Sequence, residues 1–147
     1  MSLQENIYSV LVVSASDAFN TALANLLPDS RFDPIRTETS VNAAKRAIAD
    51  RAYDFIVVNS PLPDDTGVRF AEELSGVRTT VALLMVRSDV YAATYARVAE
   101  HGVFVLPKPT SKLIMSQAFD WMIATRERLK KFERKTVSTE EKMKEIR

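Results

Sequence analysis

The stretch Asp54-Phe-Ile-Val-Val-Asn-Ser-Pro-Leu-Pro-Asp-Asp-Thr-Gly67 holds two signals side by side. Phe55–Asn59 is a short apolar run of the kind found in a strand buried on both faces. Pro61 to Gly67 is a loop crowded with turn formers. Asn59 ends the strand with a polar side chain where the chain leaves the interior.

Outward from this stretch, apolar runs alternate with segments of helical period. Ile7–Val13 reads as a strand, and residues 17–27 as a helix with Phe19, Ala22, Leu23, Leu26 and Leu27 on one face. Ser16 suits its N-cap, and Pro28 follows its end. A weaker strand spans Phe32–Thr37, and Pro34 within it points to a sheet edge. Ser40 caps a helix to about Ala49, with Val41, Ala44 and Ile48 inward. Val68–Leu74 gives a helix, Thr80–Val86 a strand, Asp89–Glu100 a helix and Val103–Leu106 a fifth strand. From Ser111 onward the pattern is helical.

Nearly continuous apolar strands joined by helices imply a parallel sheet covered on both faces. Right-handed crossovers favour an α/β doubly wound, five-stranded, flavodoxin-like sheet of order 2-1-3-4-5. Such sheets place functional groups at the carboxyl ends of the strands. Those ends are Ser14–Ser16, Asn59–Pro61, Arg87–Asp89 and Lys108–Pro109.

A chain of 147 residues suits one such domain. It has no cysteine, which excludes disulfides, thiolate metal sites and cysteine nucleophiles. No apolar run approaches the ~20 residues of a membrane span, and no secretory signal opens the chain, so a cytoplasmic location is expected. The net charge of +1 divides unevenly: residues 126–147 carry nine Lys/Arg against five Asp/Glu, and the rest eleven against fourteen. The basic tail is either a solvated helix face or a surface for nucleic acid.

The four strand ends, in this order and spacing, resemble a response-regulator receiver domain over residues 6–125. Asp54–Gly67 is similar to that family's third strand and following loop, and Lys108-Pro109 to its fifth-strand ending. The resemblance implies a cis Lys108–Pro109 peptide. It also exposes departures. Ser14 and Ala15 stand where the family has two metal-binding acids, and Asn59 where it has the phosphoacceptor aspartate. Arg87 replaces a switch Ser/Thr and Val105 a switch aromatic, while the family's lysine is retained as Lys108. Aspartyl phosphorylation needs a carboxylate nucleophile. It also needs Mg²⁺, which prefers carboxylates and waters. Arg87 and Lys108 would repel that ion. The expectation is a pseudo-receiver with no catalytic residue, no metal and no cofactor. Arg87 either pairs with an anion or a carboxylate such as Asp17 or Asp64, or swings into solvent. Asp64 and Asp65 are read as turn-shaping, His101 as a helix-end group before Gly102, and Trp121 as packing.

The last helix runs past the ordinary receiver boundary. Met115, Met122, Leu129, Thr136 and Met143 form one heptad row, and Ala118, Thr125, Phe132, Thr139 and Ile146 the other. They read as a dimer seam carried by Met115, Met122, Leu129, Phe132, Met143 and Ile146. In the opposing reading, the early members only cover the sheet. Ser138-Thr-Glu-Glu141 matches a capping box, yet a continuous helix is favoured. Residues 1–5 read as a disordered or cloning-derived start, 6–125 as the receiver-like domain, and 126–147 as a helical, coiled-coil extension. The last ten residues, from Ser138 to Arg147, resemble the opening of an ANTAR domain, an RNA-binding antitermination module. The chain is therefore expected to be cut within a longer protein, with RNA contacted only through a missing C-terminal module.

The expected function is phosphorylation-independent signalling by a homodimer, without membrane attachment. A protein partner would dock on the face of the fourth helix, fifth strand and fifth helix, near Tyr91 and Tyr95. Two alternatives are a small-molecule binder or enzyme on the same scaffold, and phosphotransfer to a hydroxyl such as Ser14 or Ser60. The first lacks a glycine-rich phosphate loop, since Gly67, Gly76 and Gly102 are the only glycines.

Overall fold

A computed structural model describes residues 6–146 apart from Gly76 and Arg78, with side chains described as far as Arg134. Five strands, β1 (Tyr8–Val13), β2 (Phe32–Glu38), β3 (Phe55–Asn59), β4 (Val81–Arg87) and β5 (Phe104–Lys108), form one parallel sheet of order β2-β1-β3-β4-β5. The helices are α1 (Asp17–Leu26), α2 (Val41–Asp50), α3 (Val68–Leu74), α4 (Tyr91–Val98) and α5 (Lys112–Ile146). The α/β doubly wound arrangement expected from the sequence is the one found. Short 3₁₀ turns at Ser88–Val90 and Ala99–His101 occupy the ends of the expected fourth helix.

Alternate residues of each central strand feed two separate cores. Leu11, Val13, Ile56, Val58, Leu84 and Val86 pack under α2, α3 and α4. Val10, Val12, Phe55, Val57, Leu83 and Met85 pack under α1 and α5. This two-sided burial is why the strands read as continuous apolar runs. Edge strand β2 carries Pro34 after a cis peptide, and the β1–β2 register shifts between Tyr8 and Val10. Pro34 thus sits where its missing N–H is tolerated. Along α1, Leu23 and Leu27 are buried and Phe19 and Leu26 half-buried, but Ala22 is exposed; in α2, Ala47 is buried where Ile48 is only half-buried.

The seam expected on α5 needs correction. Met115 is 6% exposed and Met122 fully buried, both against α1 and the sheet, so neither is available to a second helix. A helix that must cover a sheet turns its most apolar row inward first. Trp121 is corrected in the opposite sense: it is 67% exposed, one of an outer row with Ile114, Leu129 and Phe132. Met143 and Ile146 lie beyond the described side chains. The helix runs unbroken through 136–138.

The β3–α3 loop is closed by Gly67 at φ +83°, just ahead of α3. A Cβ there would lie 2.6 Å from Val58 Cγ1 and 3.2 Å from Leu62 Cδ1. Gly67→Ala combines a left-handed backbone with this clash, and denaturant titration should show a loss of about 2–4 kcal/mol.

Candidate functional site

The carboxyl ends of β1, β3, β4 and β5 converge at one edge of the sheet, as adjacent parallel strands with matched register must. Ser14 follows β1 and is fully buried. Asn59 ends β3 and is 7% exposed. In the β4–β5 register Arg87 lies opposite Lys108. Ala15 is exposed beside Ser14, and Val105 is buried on the α2–α4 side of the sheet.

Three of these residues form one hydrogen-bonded chain. Lys108 Nζ donates to Asn59 Oδ1 at 2.8 Å and to the Ser60 carbonyl at 2.6 Å. Asn59 Nδ2 donates to Ser14 Oγ at 3.1 Å, and Ser14 Oγ also accepts from the Ser16 N–H at 3.2 Å. An ammonium can only donate, so the amide must turn its oxygen to Lys108 and its nitrogen to Ser14. Asn59 therefore has its two polar ends occupied by neighbours within the chain. The Lys108–Pro109 peptide is cis, as the resemblance implied, and so is Ser60–Pro61.

Both oxygens that accept from Lys108 Nζ are neutral, one an amide side chain and one a backbone carbonyl. Burial first, and the charge of Arg87 second, hold its pKa below the usual lysine value. Arg87 does not enter the site. Its Nε donates to Asp89 Oδ1 at 3.1 Å and a terminal nitrogen pairs with Asp89 Oδ2. The reading in which Arg87 pairs with Asp17 or Asp64 is thus replaced: its partner is Asp89, two residues on, on the exposed rim. Paired like charges across a ladder repel, and the Arg87 side chain escapes along its own strand end. The hydrogen bond from Arg87 in turn holds the Asp89 carboxyl below the usual carboxylate range.

The loop acids have structural partners of their own. Asp64 Oδ1 accepts from the Val41 N–H at 2.9 Å and Oδ2 from the Asn42 N–H at 3.0 Å. Together with Ser40 Oγ, which accepts from Ala43 N–H at 3.1 Å, the first three amides of α2 are capped. These backbone bonds lower the Asp64 pKa. Asp65 Oδ1 accepts from Gly67 N–H at 2.8 Å, closing the turn. Sequence reading missed that Asp64 caps a helix 23 residues upstream, because no local pattern couples them. His101 Nε2 lies 3.5 Å from Glu72, which also pairs with Arg97 at 2.7 Å. No group of three or more His, Cys, Asp or Glu among the described residues is placed to hold a metal ion.

A second feature lies between α4, β5 and α5. A groove of about 460 Å³ is lined by Tyr91, Tyr95, Phe104, Leu106, Ile114 and Trp121, with no charged side chain along it. The Tyr91 and Tyr95 rings lie 6.2 Å apart. No helix among the described residues is long and apolar enough to cross a membrane.

The fold is that of signal receiver domains. The receiver domain of an HD domain-containing protein from Pseudomonas fluorescens Pf-5 superposes with a TM-score of 0.73 at 16% identity, over 89% of this chain and 96% of that one. A structure described as adenylate cyclase from Rhodopirellula baltica gives 0.76 at 18% identity, over 87% and 96%. The beryllofluoride-activated NtrC4 receiver domain dimer gives 0.63 at 20% identity, over 82% and 94%. In sequence, the chain is 26% identical over 102 residues to the DNA-binding transcriptional regulator NtrC of Azospirillum brasilense. That match covers 69% of this chain and 21% of the relative, so the chain spans about a fifth of that protein's length. No family profile matches.

Asn59→Asp tests the electrostatics of the site. The new carboxylate would face Lys108, so its folded-state pKa should fall below the ordinary Asp value and that of Lys108 should rise. The gain, about 0.5–1.5 kcal/mol by urea titration, should be present above pH ~3.9 and vanish as pH falls through the depressed value. A variant less stable than the parent at neutral pH would contradict the hydrogen-bonded chain.

Proposed function

We propose that this chain is a signalling receiver that works by binding and not by phosphotransfer, and that it is not an enzyme. The observation that carries this reading is the Lys108–Asn59–Ser14 chain. At the position where a receiver would hold its acceptor stands an amide, neutral and weakly nucleophilic, with both ends engaged. A phosphoryl acceptor of the receiver type must be a carboxylate. A magnesium ion would find Ser14, Ala15 and Asn59, which bring no negative charge, beside the cation of Lys108. Asn59, Ser14, Ala15, Arg87 and Val105 are on this reading degenerate site positions, and Lys108 is a retained structural lysine.

The output would be association. The uncharged aromatic groove between α4 and α5 suits an apolar partner surface. Trp121 and Leu129, both on the exposed row of α5, suit a homodimer through the C-terminal helix. The extension would then lead to the RNA-binding antitermination module that the resemblance of residues 138–147 suggests. RNA would be contacted through that module and not by residues 6–134.

Two measurements test this. After incubation with acetyl phosphate and Mg²⁺, intact mass should be unchanged; a stoichiometric phosphoryl adduct would overturn the binding-only reading. In analytical ultracentrifugation the parent chain should sediment as a dimer, and the double variant Trp121→Ser, Leu129→Asp should weaken the dimer by at least about a hundredfold in Kd. A parent that remains monomeric would remove the seam.

A further inference from the structure

At the edge of the sheet opposite Asn59, one side chain of α5 holds the beginnings of two strands. Arg126 Nη1 donates to Thr79 Oγ1 at 3.0 Å, and Nη2 pairs with Asp54 Oδ1. The Arg126 side chain is only 12% exposed and that of Asp54 21%. Asp54 immediately precedes β3, and Thr79 stands two residues ahead of β4. Asp54 is itself fixed to β1: its Oδ2 accepts from Ser9 N–H at 2.9 Å, and its own N–H donates to Ser9 Oγ at 3.0 Å. The next residue, Glu127, accepts from Asn6 Nδ2 at 2.9 Å just ahead of β1. Beyond this point α5 continues to Ile146.

We infer that Arg126, Asp54 and Thr79 form a joint that sets the direction of the helical extension according to how β3 and β4 sit beside each other. The inference rests on the proposed reading that the extension carries the output. The two strands gripped at this floor are those that end, at the other edge, on Asn59 and Arg87. β3 spans only ~17 Å at ~3.3 Å per residue and is packed on both faces, so it moves as a rod.

Guanidinium geometry makes the joint specific. Its donors lie in one plane at fixed angles, so a slide of one strand against the other cannot be followed without turning the fork and the helix that carries it. A lysine's freely rotating ammonium on a flexible stem would follow such a slide without turning the helix. The pair is also largely withdrawn from water, where removing either partner leaves an uncompensated charge. From Glu127 to Ile146 the helix extends about 30 Å at 1.5 Å per residue, so a tilt of about 5° displaces its far end by ~2.5 Å. A small change at the sheet becomes a displacement that an output module can read.

The chain has no cysteine, which permits clean paired spin labelling. Ala24→Cys with Lys131→Cys spans the joint from α1, and Ala24→Cys with Asp120→Cys stops short of it; all three positions are exposed. Labelled full chain is diluted into excess unlabelled chain so that only distances within one molecule are read. Thr79→Val, which removes one hydrogen bond, and Arg126→Lys, which keeps the charge but loses the fork, should each broaden the first distribution roughly twofold. The second distribution should keep its width. Equal widths in parent and both variants for the first pair would overturn the joint, as would equal broadening of both pairs. Association is measured separately by sedimentation, so failure of the dimer reading would leave these widths interpretable.

Discussion

Burial of the sheet on both faces is the constraint from which the other features follow. Each central strand gives one set of side chains to the α1/α5 core and the other to the α2–α4 core. No polar group can be carried within the strands without a partner, so polar chemistry is displaced to the strand ends. One edge of the sheet receives Ser14, Asn59, Arg87 and Lys108. The opposite edge receives Asp54, Thr79 and Arg126. The molecule thus has two polar margins joined by a stiff apolar slab.

The two margins are built differently. At the carboxyl edge a single buried-side cation, Lys108, is satisfied by neutral acceptors, and the second cation, Arg87, is drawn aside by Asp89. At the amino edge charge is paired with charge across 72 residues of sequence, and the pair ties the last helix to the sheet. Hydrogen bonds from α5 to the body continue through Arg126 and Glu127.

The local record in the chain made the carboxyl edge legible. Strand runs, Ser16 and Ser40 as caps, Pro34 as an edge marker and the Asn59 and Lys108 strand ends all depend on residues within a few positions of one another. The α5 face was legible only in part. The row that covers the sheet, Met115 and Met122, and the row that stays outside, Trp121 and Leu129, are neighbours on one helix with nearly the same period. Heptad spacing identifies a stripe without saying which surface covers it, so the early seam residues were assigned to the wrong neighbour.

By itself, the sequence determined the order of elements, the parallel doubly wound sheet and the set of residues at its carboxyl edge. These follow from hydrophobic period, turn chemistry and the handedness of crossovers, all of which act over short stretches of chain. Only the tertiary structure decided that Arg87 turns to Asp89, that Asp64 caps α2, that Met122 belongs to the core and that Arg126 grips Asp54 and Thr79. Each of these depends on which side chain among several within reach offers the matching charge or hydrogen bond in a water-poor place. That choice exists only once distant segments have been packed against one another.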